Sequence, residues 1–227
     1  MNLIDKLLYK YLGSKVTFSQ CGEDVILDHI FRARGIENVS YLDIGTNHPV
    51  HASNTYFFYR KGGNGVCVEP NPSLCELIQS KRPKDTCLNL GITAQPQDPL
   101  DFYIMSPHTL STFSKADAEA LAKNPAYKIT EVRKVPLEEY NKLVETYFPT
   151  PPHLVSIDVE GLNEEIVFSI DFSASRPLVF CVETTDYSET MISQKNQSII
   201  NRFAENGYLV YADTYLNTIF IDEKGFA

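Results

Sequence analysis

The amino-acid sequence predicts an α/β fold built on a doubly wound, mostly parallel sheet. Three observations predict it. Apolar runs that deliver a carboxylate toward their C-terminal ends recur, as Tyr41-Leu42-Asp43-Ile44, Gly65-Val66-Cys67-Val68-Glu69, His153-Leu154-Val155-Ser156-Ile157-Asp158 and Leu178-Val179-Phe180-Cys181-Val182-Glu183. Helix-patterned stretches separate these runs, which is the rhythm of parallel strands joined by crossover helices. The chain closes on two strand-like runs, 208–212 and 215–222, placed to pair as an antiparallel hairpin.

Taken in order, Leu3, Ile4, Leu7, Leu8, Tyr11 and Leu12 recur at helical spacing around Asp5, Lys6 and Lys10, so residues 1–13 read as an amphipathic helix. Its apolar face suits packing on the domain or on a second subunit, with a membrane surface as the alternative. Gln20, Glu23 and Asp24 precede a helix through Val25, Ile26, His29, Ile30 and Phe31, where polar residues are expected to cap. The first strand is followed by Ser53-Asn54-Thr55, which opens a crossover helix closed by Gly62-Gly63. After the second strand, Asn71-Pro72-Ser73 supplies an N-cap and a proline at the first helical position. Residues 86–90 read as a third strand. Residues 100–135 read as an insertion on the substrate side, with a strand at 100–104, a short helix near 116–122 and a strand at 128–135. A helix is expected over 136–147 and another over 197–206.

Composition bounds the function. With 227 residues, 43% hydrophobic and 22% charged, the chain holds one well-buried core, read as a single domain over 1–227. A net charge of −9 with no run of Lys or Arg argues against a nucleic-acid partner. Cys21, Cys67, Cys75, Cys87 and Cys181 form no C-x-x-C pair, which suits reduced thiols in the cytoplasm. No stretch approaches the roughly 18 apolar residues of a membrane span.

The first two strands also suggest a ligand. Glu69 lies 26 positions after Asp43, near the roughly 20-residue offset at which dinucleotide folds place an acid on ribose hydroxyls. The loop Gly45-Thr46-Asn47-His48-Pro49 has one glycine, so it is not the G-x-G-x-x-G cradle of a diphosphate, and a dinucleotide oxidoreductase is disfavoured. A nucleoside carrying an amino acid fits better, with Asp43 and the loop amides holding its ammonium and carboxylate and Gly45 admitting it to the backbone. That ligand is S-adenosylmethionine.

Several motifs then fall in one order: Ser19-Gln20-Cys21-Gly22-Glu23-Asp24, Asp43-Ile44-Gly45-Thr46-Asn47-His48-Pro49, Ser53-Asn54-Thr55-Tyr56, Glu69-Pro70-Asn71-Pro72, Asn89-Leu90-Gly91-Ile92, Ser111-Thr112-Phe113 and Ile157-Asp158-Val159-Glu160-Gly161. Over roughly residues 18–185 the chain resembles the FkbM-type family of S-adenosylmethionine-dependent methyltransferases. The resemblance implies a class I methyltransferase fold, Rossmann-like, with seven strands and the last one antiparallel. It also implies a small polar acceptor, foremost a sugar or nucleotide-sugar hydroxyl for a surface polysaccharide, and S-adenosylhomocysteine as product. Thr46 departs from the family's usual alanine and Gly63 from its usual aromatic.

On this reading Glu69 holds the ribose, while Asp43, Gly45 and Asn47 line the methionine portion. Asn89 and Gly91 approach the adenine, and Gln20, Thr46, Pro70 and Asp158 complete the donor site. Asp158, ending the central strand, is the leading general base, and His48, titrating near neutrality, the second. Ser111, Glu160 and Glu183 are the expected acceptor contacts. Asp158, Glu160 and Glu183 would also suit Mg²⁺ or Mn²⁺, although their spacing does not require an ion and none is expected. The competing readings are an amine or non-sugar alcohol acceptor of a secondary metabolite, and a scaffold subunit without turnover.

Overall fold

The computed structural model describes residues 11–95, 97–159, 161–185 and 194–226. The expected N-terminal helix lies outside them except at its last turn, where residues 11 and 12 are helical.

A seven-stranded sheet forms the centre. In chain order its strands are β1 (Ser40–Ile44), β2 (Asn64–Val68), β3 (Thr86–Leu88), β8 (Leu154–Ile157), β9 (Val179–Glu183), β10 (Tyr208–Asp213) and β11 (Asn217–Asp222), and across the sheet they run β10-β11-β9-β8-β1-β2-β3. All pairings are parallel except those of β11, which lies antiparallel between β9 and β10. The order reverses between β1 and β8, and ligands of open α/β sheets bind outside the carboxyl ends of strands at such a switch point.

Alternating side chains on the strands explain the two layers. Leu42, Ile44, Val155, Ile157, Phe180 and Val182 bury against one group of helices: α5 (Tyr140–Tyr147), α6 (Asn163–Ser169) and α7 (Gln197–Glu205). Tyr41, Leu154, Val179 and Cys181 face the other way, onto α1 (Glu23–Ala33) and α2 (Tyr56–Lys61). Each buried leucine or isoleucine contributes about 1.5–3 kcal/mol relative to exposure, so this two-sided burial fixes register. The remaining helix of the nucleotide unit, α3 (Pro72–Lys81), begins as expected: Asn71 Oδ1 accepts from the Ser73 N–H at 3.1 Å, with Pro72 in the first turn.

The start of α1 differs from expectation. Its N-cap is Gly22 at φ 90°, and no side chain caps it. Glu23 and Asp24 instead tie down the segment before it, accepting from the Cys21 N–H at 2.8 Å and the Phe18 N–H at 2.7 Å.

Outside the main sheet, β5 (Leu100–Ser106) and β6 (Lys128–Val135) form an antiparallel hairpin that encloses a 3-10 turn (His108–Leu110) and α4 (Lys115–Leu121). Two short strands, β4 (Gly91–Thr93) and β7 (Leu137–Glu139), pair in parallel beneath it. Both correct the sequence reading, which ran a third strand on to residue 90 and began a helix at 136. No helix among the described residues is long and apolar enough to cross a membrane.

Candidate active site

The first cavity, about 360 Å³, opens at the carboxyl ends of β1, β2 and β8. It is the size of a small-molecule site. Gln20, Gly45, Thr46, Asn47, His48, Glu69, Pro70, Gly91, Ser111, Asp158 and Glu183, all named from the sequence, line it together.

Glu69 is the anchor. It is 4% exposed, and its two oxygens accept from the Asn47 N–H at 2.7 Å and the Asn71 N–H at 2.8 Å. Burial pushes its carboxyl up to about 7 against the pull of those amides. Each oxygen keeps a free acceptor direction, so the carboxylate can still take two hydroxyl donors.

Asp43 and Asn89 do not line this cavity. The Asp43 side chain turns back into the protein, where Oδ2 accepts from Thr55 Oγ1 at 2.5 Å and lies 3.8 Å from Arg82 Nη1. Asn89 Nδ2 donates to the carbonyls of Glu69 and Pro70 at 2.8 and 2.9 Å, bracing the loop that carries the acid. The loop amides are engaged as well. Gly45 and Thr46 donate to Val68 O, and Asn47 to Glu69. The expected cradle of Asp43 and loop amides for an ammonium and a carboxylate is therefore corrected to a braced wall. Gly45 has its own reason: at φ 80° a Cβ there would collide with the Asp158 carbonyl. The close approach is that of protein backbone.

His48 accepts the Val50 and His51 N–H groups at Nδ1, at 3.1 and 3.0 Å. Burial, then the neighbouring His51 and His108, lowers its pKa. With Nδ1 occupied as an acceptor the neutral ring carries its proton on Nε2.

Asp158 and Glu183 end adjacent parallel strands, one step beyond the Ile157–Val182 pair. Their carboxyls share a hydrogen bond, and burial pushes Asp158 up to about 6. Asn163 fixes the pair from behind, donating to Glu183 Oε2 at 3.0 Å while its own oxygen accepts the Val159 N–H at 2.9 Å. Glu183 and Thr112 also line a second cavity of about 690 Å³, roofed by α4 and floored by the starts of α6 and α7. The insertion over 100–135 thus covers both cavities, with Ser111 held by its own Oγ donating to His108 O at 2.7 Å.

Glu160 lies outside the described residues, so its expected acceptor contact has no structural counterpart here. Among the described residues no group of three or more His, Cys, Asp or Glu side chains is arranged to hold a metal ion.

Sequence reasoning missed Arg82. It is wholly buried, donates to Asp85 at 2.7 Å and Thr55 at 2.9 Å, and sits over the Tyr41 ring at 5.4 Å. Burial lifts the Asp43 carboxyl, and Arg82 pulls it back down. An arginine just after an exposed helix end carries no pattern that marks it as core.

A family model described as a Methyltransferase FkbM domain matches residues 43–210. Solved structures that resemble the chain include a TehB-like SAM-dependent methyltransferase from Corynebacterium glutamicum, 10% identical, covering 96% of this chain and 95% of that one with a TM-score of 0.47. An O-methyltransferase from Bacillus cereus in complex with SAH is 14% identical over 96% of both chains, with a TM-score of 0.44. A 1,6-didemethyltoxoflavin-N1-methyltransferase from Burkholderia thailandensis is 7% identical over 95% of this chain and 84% of that one, with a TM-score of 0.43. No curated protein matches the chain.

Proposed function

The chain belongs to the FkbM methyltransferase family, and from that premise we propose that it transfers a methyl group from S-adenosylmethionine to a sugar hydroxyl, releasing S-adenosylhomocysteine. The observation that carries this reading is that Glu183, the neighbour of Asp158 in the first cavity, also lines the second one, so that the two cavities share a wall beside Asp158. One cavity is organised by the buried Glu69 and suits the donor; the other, beneath the insertion, suits the acceptor.

When bound, the donor supplies an electrophilic methyl carbon on a sulfonium. Glu69 would accept the ribose hydroxyls through the acceptor directions its backbone partners leave open. Gln20, Gly45, Thr46, Asn47, Pro70 and Gly91 would enclose the same ligand. Asp158 would take the proton that the acceptor hydroxyl must lose. A carboxyl lifted to about 6 is a better base at neutral pH than an ordinary aspartate and is still ionised there. Holding both reactants across one junction supplies positioning, which is a large part of the acceleration of a displacement. The odd number of cysteines with no C-x-x-C pair supports a reducing compartment, and we place the protein in the cytoplasm.

Calorimetry with S-adenosylhomocysteine and with NAD, followed by product release over a panel of sugars, tests the reading. Binding of S-adenosylhomocysteine alone, with release on at least one sugar, is expected. Tight NAD binding overturns the donor assignment.

A further inference from the structure

Resting on that reading, we infer that the acceptor sugar carries no phosphate: the larger cavity is built for a neutral or amine-bearing glycan, and the nucleotide-linked sugars implied by the family resemblance are excluded from it.

The charge of the lining carries the argument. Asp117, Glu164 and Glu183 contribute carboxylates, and Asn124, Asn163 and Asn196 contribute amides. No Lys, Arg or His is among the described residues that line this cavity. Lys195, beside the lining residue Thr184, is committed: its Nζ donates to Thr184 Oγ1 at 3.0 Å and pairs with Asp213 at 2.8 Å. A phosphate recognised by protein needs cationic forks or unengaged amides, and this wall offers carboxylates in their place. Carboxylates and side-chain amides are what hydroxyl groups and ammonium groups hydrogen-bond.

Two of these acids are also held where they are. Asn196 Nδ2 donates to Glu164 Oε2 at 2.7 Å, and Asn163 holds Glu183. A phosphoryl group entering beside Asp117 and Glu164 would meet like charge, which costs affinity for the wrong ligand.

The test uses the full chain saturated with S-adenosylhomocysteine and titrated by calorimetry with glucose, glucosamine and glucosamine 6-phosphate. Affinity in the order glucosamine, then glucose, with the phosphate weaker than its parent amine by about tenfold or more, is expected. Asp117→Lys with Glu164→Lys, two exposed positions outside the proposed donor and base machinery, is expected to reverse that order. Equal or tighter binding of the phosphate to the wild type overturns the inference while leaving methyl transfer to a sugar in place. Binding of S-adenosylhomocysteine with no sugar bound overturns the sugar assignment and the inference together, and failure to bind S-adenosylhomocysteine overturns the underlying reading itself.

Discussion

Asp158 and Glu183 lie side by side one step beyond the Ile157–Val182 pair of neighbouring parallel strands, Asp158 in the first cavity and Glu183 in both. Two carboxyls in such contact titrate as a unit. Turnover is expected to fall as pH drops through about 6, where Asp158 gains its proton, and to level off above it. Asp158→Asn is expected to lower kcat by about a hundredfold or more while leaving S-adenosylhomocysteine affinity nearly unchanged. Glu183→Ala is expected to displace the pH midpoint. A profile with the same midpoint in both proteins would separate the two residues.

Glu69 gives the complementary outcome. Glu69→Ala is expected to weaken S-adenosylhomocysteine binding by tenfold or more with little effect on kcat at saturating donor. In the wild type, ribose hydroxyls favour the ionised carboxylate, so donor binding between pH 5 and 8 is expected to release a proton and to tighten as pH rises. Calorimetry in buffers of different ionisation enthalpy reads that proton directly.

The same residue sets a pH dependence of stability in the ligand-free protein. Its carboxyl is raised from 4.5 to about 7 in the folded state, so the native protein binds the extra proton. The associated stability is full below about pH 4.5 and is lost as pH rises through 7, amounting to about 3 kcal/mol. Thermal denaturation across that window is expected to show a decline in Tm that is shallower in Glu69→Gln. A steeper decline in the variant would contradict the assignment.

Gly45→Ala places a Cβ against the Asp158 carbonyl at a left-handed backbone position. A destabilisation of about 1–2 kcal/mol or more is expected, together with loss of turnover as the Asp158 loop is displaced. Gly161→Ala is the control: its φ of 77° imposes similar backbone strain, but among the described residues beyond its chain neighbours no atom lies within 4 Å of the added carbon. Comparing kcat at a temperature where both variants are folded checks the difference.

Arg82→Met removes the buried cation that Asp43 and Asp85 share. Leaving those carboxylates without a counter-charge is expected to cost about 3–5 kcal/mol, measured by denaturant unfolding. Arg82→Lys recovers only part of this, because an ammonium cannot bridge Asp85 and Thr55 as the guanidinium does.

What was legible in the sequence follows from periodicity. Strands β1, β2, β8 and β9 announce themselves through buried apolar runs, whereas the count of seven strands was implied by the family resemblance. Strands of three residues, such as β4 and β7, are shorter than any repeat that could mark them. At the site, Glu69 was legible because a carboxylate ends an apolar strand at a telling offset. Asp43 ends a similar strand, yet its side chain answers to Arg82, a partner 39 positions away that no local pattern pairs with it. Pairing across such separations is a property of the folded chain, as is the engagement of the loop amides by Val68 and Glu69.

The hairpin of β5 and β6 forms a ladder of its own, apart from the seven strands below it. Its residues nevertheless contribute to the walls of both chambers. A lineage could therefore exchange this cassette for one of different length or polarity and reshape both chambers at once, while the folding of the platform passes unaltered to the descendants.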